Sequence, residues 1–158
     1  MQSMNTDLKL LINSSSSSST EQIGEQIGRQ LRGGEVIVLE SDLGGGKTTI
    51  TRGIVSGTDS KDLVSSPTFT ISNIYEAPKL NIYHFDFYRL SEPGLIKHEL
   101  AEATEDDTNV IVLEWANIVE DILPKNILKI NINHQDGDNR KLVISYPKEL
   151  TYLVKGIN

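Results

Sequence analysis

The sequence predicts an α/β fold, a three-layer α/β/α arrangement with a mixed, mainly parallel central sheet and antiparallel hairpins. Three observations carry the prediction. Val36-Ile37-Val38-Leu39 and Val110-Ile111-Val112-Leu113 are short apolar, β-branched runs of the kind that form strands buried on both faces. Segments with helical spacing alternate with these runs, as crossover connections between parallel strands require. Two pairs of alternating runs, each pair joined by a short polar or Pro-containing turn, have the pattern of β-hairpins. The whole chain, 1–158, is expected to be one domain, large enough for a sizeable core.

Taken in order, Leu8 to Asn13 is a strand candidate, and the serine run Ser14 to Ser19 reads as a solvated, linker-like stretch or a strand end. Ser19 or Thr20 can cap the following helix, Glu21 supplies a carboxylate to its first turn, and Ile23, Ile27 and Leu31 give it one apolar stripe. Gly33-Gly34 ends it, and Glu35 to Glu40 is a strand. A second helix is expected from about Lys47 to Ser56, stopped by Gly57. Pro67 to Tyr75 and Leu80 to Tyr88 alternate across Ala77-Pro78-Lys79 and read as a first β-hairpin or as adjacent antiparallel strands. Ser91-Glu92-Pro93 opens a helix that reaches about Glu105, because Ser caps and Pro suits a first turn. Val110 to Leu113 is a central strand, and Trp115 to Leu123 a helix closed by Pro124. Ile127 to Asn133 and Lys141 to Tyr146 form the terminal hairpin around Gln135-Asp136-Gly137-Asp138-Asn139. Beyond Pro147 the tail has no clear pattern.

Chemistry concentrates where the strand ending at Glu40 meets the helix starting at Lys47. Ser41-Asp42-Leu43-Gly44-Gly45-Gly46-Lys47-Thr48 matches Gly-x-x-x-x-Gly-Lys-[Ser/Thr] except at Ser41, where the pattern has its first glycine. Glycines let the backbone curl so that N–H groups line an anion nest, and the following helix adds its positive end. Asp42, Leu43, Gly44, Gly45, Gly46, Lys47, Thr48 and Thr49 are therefore nucleotide-binding candidates, with Lys47 on the outer phosphates and Thr48 on Mg²⁺. The fold is accordingly expected to be of the P-loop NTPase kind. Such a site needs a carboxylate at the end of a neighbouring strand, to hold the metal shell or orient water. Asp86 and Glu114 each end a strand candidate and are the catalytic and metal candidates beside Lys47 and Thr48. Ser66, Pro67 and Thr68 lie in a loop that can sense the terminal phosphate. Trp115, the one tryptophan, either stacks on a base or packs in the core. Arg52 and Arg89 can face phosphate or form surface ion pairs. His84 can relay a proton, but a lone His two residues from Asp86 is read as a hydrogen-bonded structural side chain and is left out of the catalytic set. Neither Asn-Lys-x-Asp nor a following Asp-x-x-Gly is present, so adenine is favoured over guanine by elimination.

Composition excludes several classes. The chain carries a net charge of −7, unsuited to wrapping nucleic acid directly, so any contact with RNA is expected through a partner. It has no cysteine, hence no disulfide framework or thiolate metal site. No basic and apolar leader opens it, and no run approaches the roughly 18–20 apolar residues of a membrane span. A cytoplasmic protein with no membrane partner is expected.

Ser41 to Thr49, Val64-Ser65-Ser66-Pro67-Thr68-Phe69-Thr70, His84-Phe85-Asp86-Phe87-Tyr88-Arg89-Leu90 and Leu113-Glu114-Trp115 together resemble, in order and spacing, the TsaE (YjeE) family. These are small P-loop ATPases of tRNA threonylcarbamoyladenosine synthesis, and the resemblance covers roughly Thr20 to Asn133. It implies ATP and Mg²⁺ as cofactors, with Lys47 and Thr48 holding phosphates and metal, and Asp86 and Glu114 serving the metal and the attacking water. Thr68 then belongs to the switch-like loop, and Trp115 lies near the base. It also implies a TsaB–TsaD complex as partner, reset by ATP hydrolysis between rounds of threonylcarbamoyl transfer, with tRNA reached only through that complex. A P-loop small-molecule kinase and a nucleotide-dependent, non-catalytic interaction module are the alternatives. The absence of an Arg cluster after the P-loop helix weighs against the first, and the paired carboxylates weigh against the second.

Overall fold

The computed structural model describes residues 7–41, 46–64, 72–87 and 94–157. In chain order these hold strand β1 (Leu8–Ser14), helix α1 (Ser17–Gln30), β2 (Val36–Ser41), α2 (Lys47–Gly57), β3 (Ser72–Glu76), β4 (Asn81–Asp86), α3 (Gly94–Glu105), β5 (Asn109–Glu114), β6 (Leu128–His134) and β7 (Arg140–Tyr146). Short 3-10 helices span Ala116–Ile122 and Lys148–Val154. Among the described residues the strands form one sheet in the order β1-β7-β6-β2-β5-β4-β3. The four inner strands, β6, β2, β5 and β4, run parallel. Antiparallel partners close the two sides: β7 and β1 beyond β6, and β3 beyond β4. This is the expected mixed sheet with both expected hairpins.

Side-chain alternation divides the core between two faces. Ile37 and Leu39 of β2, Ile82 of β4 and Val110 and Val112 of β5 pack with Ile23 and Ile27 of α1 and Ile50 and Ile54 of α2. Val36, Val38, Phe85, Ile111 and Leu113 point the other way, onto Leu100 and Ala103 of α3 and Val119 of the first 3-10 helix. Strand β5 is buried throughout, as a strand covered on both faces must be. Each fully buried Ile or Leu contributes roughly 1.5–3 kcal/mol, so the doubly covered centre is the stable frame of the molecule.

The helix that follows β2 is held in place by glycines. A Cβ on Gly24 or Gly28 of α1 would lie 2.4 Å from the Ile50 carbonyl oxygen or 2.2 Å from that of Ile54. On α2, one at Gly53 or Gly57 would lie 2.0 Å from the Glu21 oxygen or 2.3 Å from that of Glu25. The two backbones meet directly over two turns, and any side chain at these four positions would force them apart.

The structure departs from the expectations at several points. The serine run is a strand end only at Ser14, which closes β1, and is not a linker beyond it: Ser16 caps α1 by accepting from the Ser19 N–H at 3.0 Å, and Ser17 to Ser19 form its first turn, which holds no acidic residue, so Glu21 falls beyond it. The cap therefore lies upstream of the Ser19 or Thr20 expected, and Thr20 is instead buried, with its hydroxyl 2.7 Å from that of Ser14. The segment after β5 is a 3-10 helix, with Trp115 before it in the left-handed region at φ 59° and ψ 51°. The tail beyond Pro147 is ordered against the core through Leu150, Leu153, Val154 and Ile157. The expected strand residues 67–71 and the expected Ser91-Glu92-Pro93 helix start lie outside the described residues. No helix among the described residues is long and apolar enough to cross a membrane.

Candidate active site

The site is built at the carboxyl ends of the parallel strands, where β2 gives way to α2. Gly46 takes the left-handed conformation (φ 106°, ψ 15°) that glycine adopts without strain, and its carbonyl receives the first helical bond, from Ile50 N at 3.0 Å. Lys47 opens α2 with its side chain buried. Its ammonium donates to the Ser41 carbonyl at 3.4 Å and lies 4.8 Å from the centre of the Trp115 ring. Among the described residues it makes no ion pair. A buried cation at a helix N-terminus, balanced by a carbonyl and an aromatic face, is a locus of uncompensated positive charge that an anion would relieve. Thr48 and Thr49 are half-buried in the same first turn. A cavity of about 300 Å³, lined by Leu39, Glu40, Ser41, Lys47, Trp115 and Ala116, opens beside this ammonium.

The carboxylates arrive from the neighbouring strands. Asp86 ends β4 and Glu114 ends β5, and the two are direct register partners in the parallel ladder. Glu114 is in turn paired with Leu39 of β2. Residues 82, 110 and 112 face α1 and α2, so the alternation of the strands places Asp86 and Glu114 on that same side. Glu114 is 3% exposed. Its Oε2 lies 2.5 Å from Nε2 of His84, a fully buried residue two positions before Asp86 on the same face. Trp115 follows Glu114 directly, so its contact with Lys47 ties the end of β5 to the start of α2. Trp115, whose left-handed backbone is costly for a bulky residue, lines the cavity and also packs against the core cluster that includes Leu100 and Ala103 of α3.

The structure thus brings together Gly46, Lys47, Thr48, Thr49, Asp86, Glu114 and Trp115. Asp42, Leu43, Gly44 and Gly45, and the loop residues Ser66, Pro67 and Thr68, lie outside the described residues, as does Arg89. Arg52 is exposed on α2. The cation placed beside Gly46 is Arg140, whose Nε lies 4.0 Å from where a Gly46 Cβ would be and whose guanidinium also donates to the Gly137 and Asn139 carbonyls. Sequence reading passed over Arg140, which reaches α2 only through the pairing of β6 and β7. His84, expected to be a hydrogen-bonded side chain, has Glu114 as its partner, and the His-x-Asp spacing puts it on the face of Asp86.

Comparison with known proteins gives the family. The family model described as threonylcarbamoyl adenosine biosynthesis protein TsaE matches residues 14–142. The protein named tRNA threonylcarbamoyladenosine biosynthesis protein TsaE in Rickettsia prowazekii is 33% identical over 126 residues, covering 79% of this chain and 87% of that one. Its namesake in Bacillus subtilis is 36% identical over 116 residues, covering 71% and 70%. The crystal structure of Bacillus subtilis YdiB superposes with a TM-score of 0.75 at 29% identity, over 91% of this chain and 89% of that one. The matched span runs from the end of β1 into β7 and takes in every candidate site residue, and the chain belongs to the TsaE family.

Proposed function

We propose that this protein is a Mg²⁺-dependent ATPase of the cytoplasm that acts with TsaB and TsaD in threonylcarbamoyl modification of tRNA adenosine beside the anticodon. The observation that carries the reading is the pairing of Asp86 with Glu114 at the strand ends, on the face of α2 where Lys47 lies buried with no ionic partner among the described residues. Lys47 and the N-terminus of α2 receive the outer phosphates, and Arg140 adds positive charge on the far flank of Gly46. The P-loop backbone, Asp42 to Gly46, cradles the phosphates, Trp115 packs against the nucleotide, and Ser66, Pro67 and Thr68 respond to the terminal phosphate.

Thr48, Asp86 and Glu114 offer only hard oxygen donors, the chemistry Mg²⁺ prefers over softer metals. Among the described residues no group of three or more His, Cys, Asp or Glu could hold a metal alone, in keeping with an ion shared with phosphate oxygens and water. When bound, Mg²⁺ neutralises charge on the phosphate oxygens. The chain's own work is positional: Lys47 fixes the phosphates, Asp86 orients the metal-side donors, and Glu114 orients the attacking water and accepts its proton.

ATP hydrolysis by the purified protein with Mg²⁺, alone and with TsaB and TsaD of the same organism, tests the proposal. Slow turnover that rises with the partners is expected, and Lys47→Ala should abolish productive nucleotide binding. Turnover indifferent to the partners, or dependent on a small-molecule acceptor, would overturn the assignment.

A further inference from the structure

Among the described residues, one buried side-chain polar atom lacks any hydrogen-bond partner: Nδ1 of His84. A buried nitrogen left unsatisfied is destabilising, and a histidine kept only for packing in β4 would serve better as an apolar residue. What His84 does make is the 2.5 Å contact from Nε2 to Glu114 Oε2. A neutral ring with its hydrogen on Nε2 donates to the carboxylate and leaves only a lone pair at Nδ1. The opposite tautomer would set a lone pair against the carboxylate and bury an unpaired N–H. A hydrogen on Nε2 is therefore the arrangement that fits the contact.

We infer that His84 is a positioning residue for hydrolysis, donating from Nε2 to Oε2 of Glu114 so that Oε1 is held out for the attacking water. This inference rests on the ATPase reading above. Among the described residues His84 is the hydrogen-bond partner of the Glu114 carboxylate, so removing its donor removes the contact that sets the orientation of that carboxylate. Rotation there moves the group that orients water while leaving Lys47, Thr48 and the phosphate loop untouched. The expected signature is therefore a loss in kcat with nucleotide affinity retained.

Two variants and one spectroscopic measurement test it. His84→Phe fills the same volume without a donor, while His84→Gln carries an N–H close to the position of Nε2. In single-turnover hydrolysis with the partners present, His84→Phe should fall about 10- to 100-fold, with the Kd for ATP by calorimetry within about 3-fold of wild type. His84→Gln should recover most of that loss. A wild-type rate in His84→Phe, alongside a Glu114→Gln variant that is inactive, overturns the inference, as does failure of His84→Gln to recover any activity. Nitrogen-15 NMR of histidine-labelled protein should show a hydrogen on Nε2 of His84, with the proton resonance shifted in Glu114→Gln. An Nδ1–H tautomer would also overturn it. If wild type does not hydrolyse ATP, the ATPase reading falls, and the NMR result alone still decides whether His84 holds Glu114.

Discussion

Two buried carboxylates sit at opposite ends of neighbouring strands, and they are held in opposite ways. Glu35, just before β2, is 4% exposed and has both oxygens engaged: the Gly33 N–H donates to Oε1 at 2.7 Å, and the Arg32 N–H at 2.9 Å and the Tyr152 hydroxyl at 2.7 Å donate to Oε2. The Arg32 guanidinium stacks 3.8 Å over the Tyr152 ring and closes the cluster. Glu114, at the end of β5, is 3% exposed and has His84 alone among the described residues. Filled on both oxygens, Glu35 can only fasten the turn after α1 to the C-terminal 3-10 helix. Among the described residues Glu114 keeps an oxygen in hand. Burial alone does not mark a functional acid; the number of donors already committed to it does.

The largest expected effect comes from breaking the open member of the pair. Glu114→Gln keeps the volume and removes the proton acceptor, so hydrolysis should drop by about 10²- to 10⁴-fold with ATP affinity nearly unchanged. Thermal unfolding of the same variant should show a Tm within a few degrees of wild type. A variant that hydrolyses ATP normally would reduce Glu114 to a second structural acid, and the contrast with Glu35 would be lost.

Breaking the closed member should do the reverse. Glu35→Ala leaves two backbone N–H groups and the Tyr152 hydroxyl without their acceptor, which should cost about 2–4 kcal/mol and lower Tm by on the order of 5–12 °C. Below that transition the hydrolysis rate should match wild type. Denaturant unfolding measures the first quantity and steady-state kinetics the second. A large fall in rate at unchanged stability would mean that the two ends of β2 are coupled and that the division of labour is wrong.

How far this contrast was legible in sequence depended on how local its causes are. The doubly covered strands are spelled out as apolar β-branched runs, and Asp86 and Glu114 could be picked out as acids at strand ends. That they face each other required the adjacency of β4 and β5, which no local pattern states. His84 and Glu114 are 30 residues apart, and Glu35 and Tyr152 are 117 apart, so both hydrogen bonds arise only once the sheet and tail are assembled. The serine run misled for a different reason. Serine competes for backbone hydrogen bonds and so reads as loop or cap, and six in a row give no helical register. The extension of α1 back to Ser17 accompanies Ile23, Ile27, Gly24 and Gly28 packing onto α2, a tertiary contact that outweighs local preference.

The smallest expected effect separates the closed cluster's hydrogen bond from its packing. Tyr152→Phe keeps the ring under Arg32 and deletes the hydroxyl, which should cost about 1 kcal/mol at neutral pH. Its pH dependence carries a sign. Burial first, and then the hydrogen bond to Glu35, hold the Tyr152 phenol well above its ordinary value of 10.0. Below that value folded and unfolded chains both keep the proton, and the stabilisation is fully present. As pH rises above it, the unfolded chain releases the proton first, so stability declines until the folded phenol also ionises. Other groups titrate in the same range, so the informative quantity is the difference between wild type and Tyr152→Phe in urea unfolding from pH 9 upward. That difference should shrink as pH rises, because the phenylalanine variant has no proton to lose. A constant difference would mean that the Tyr152 hydroxyl senses neither its burial nor the Glu35 carboxylate, and that Glu35 is less completely closed than its three donors imply.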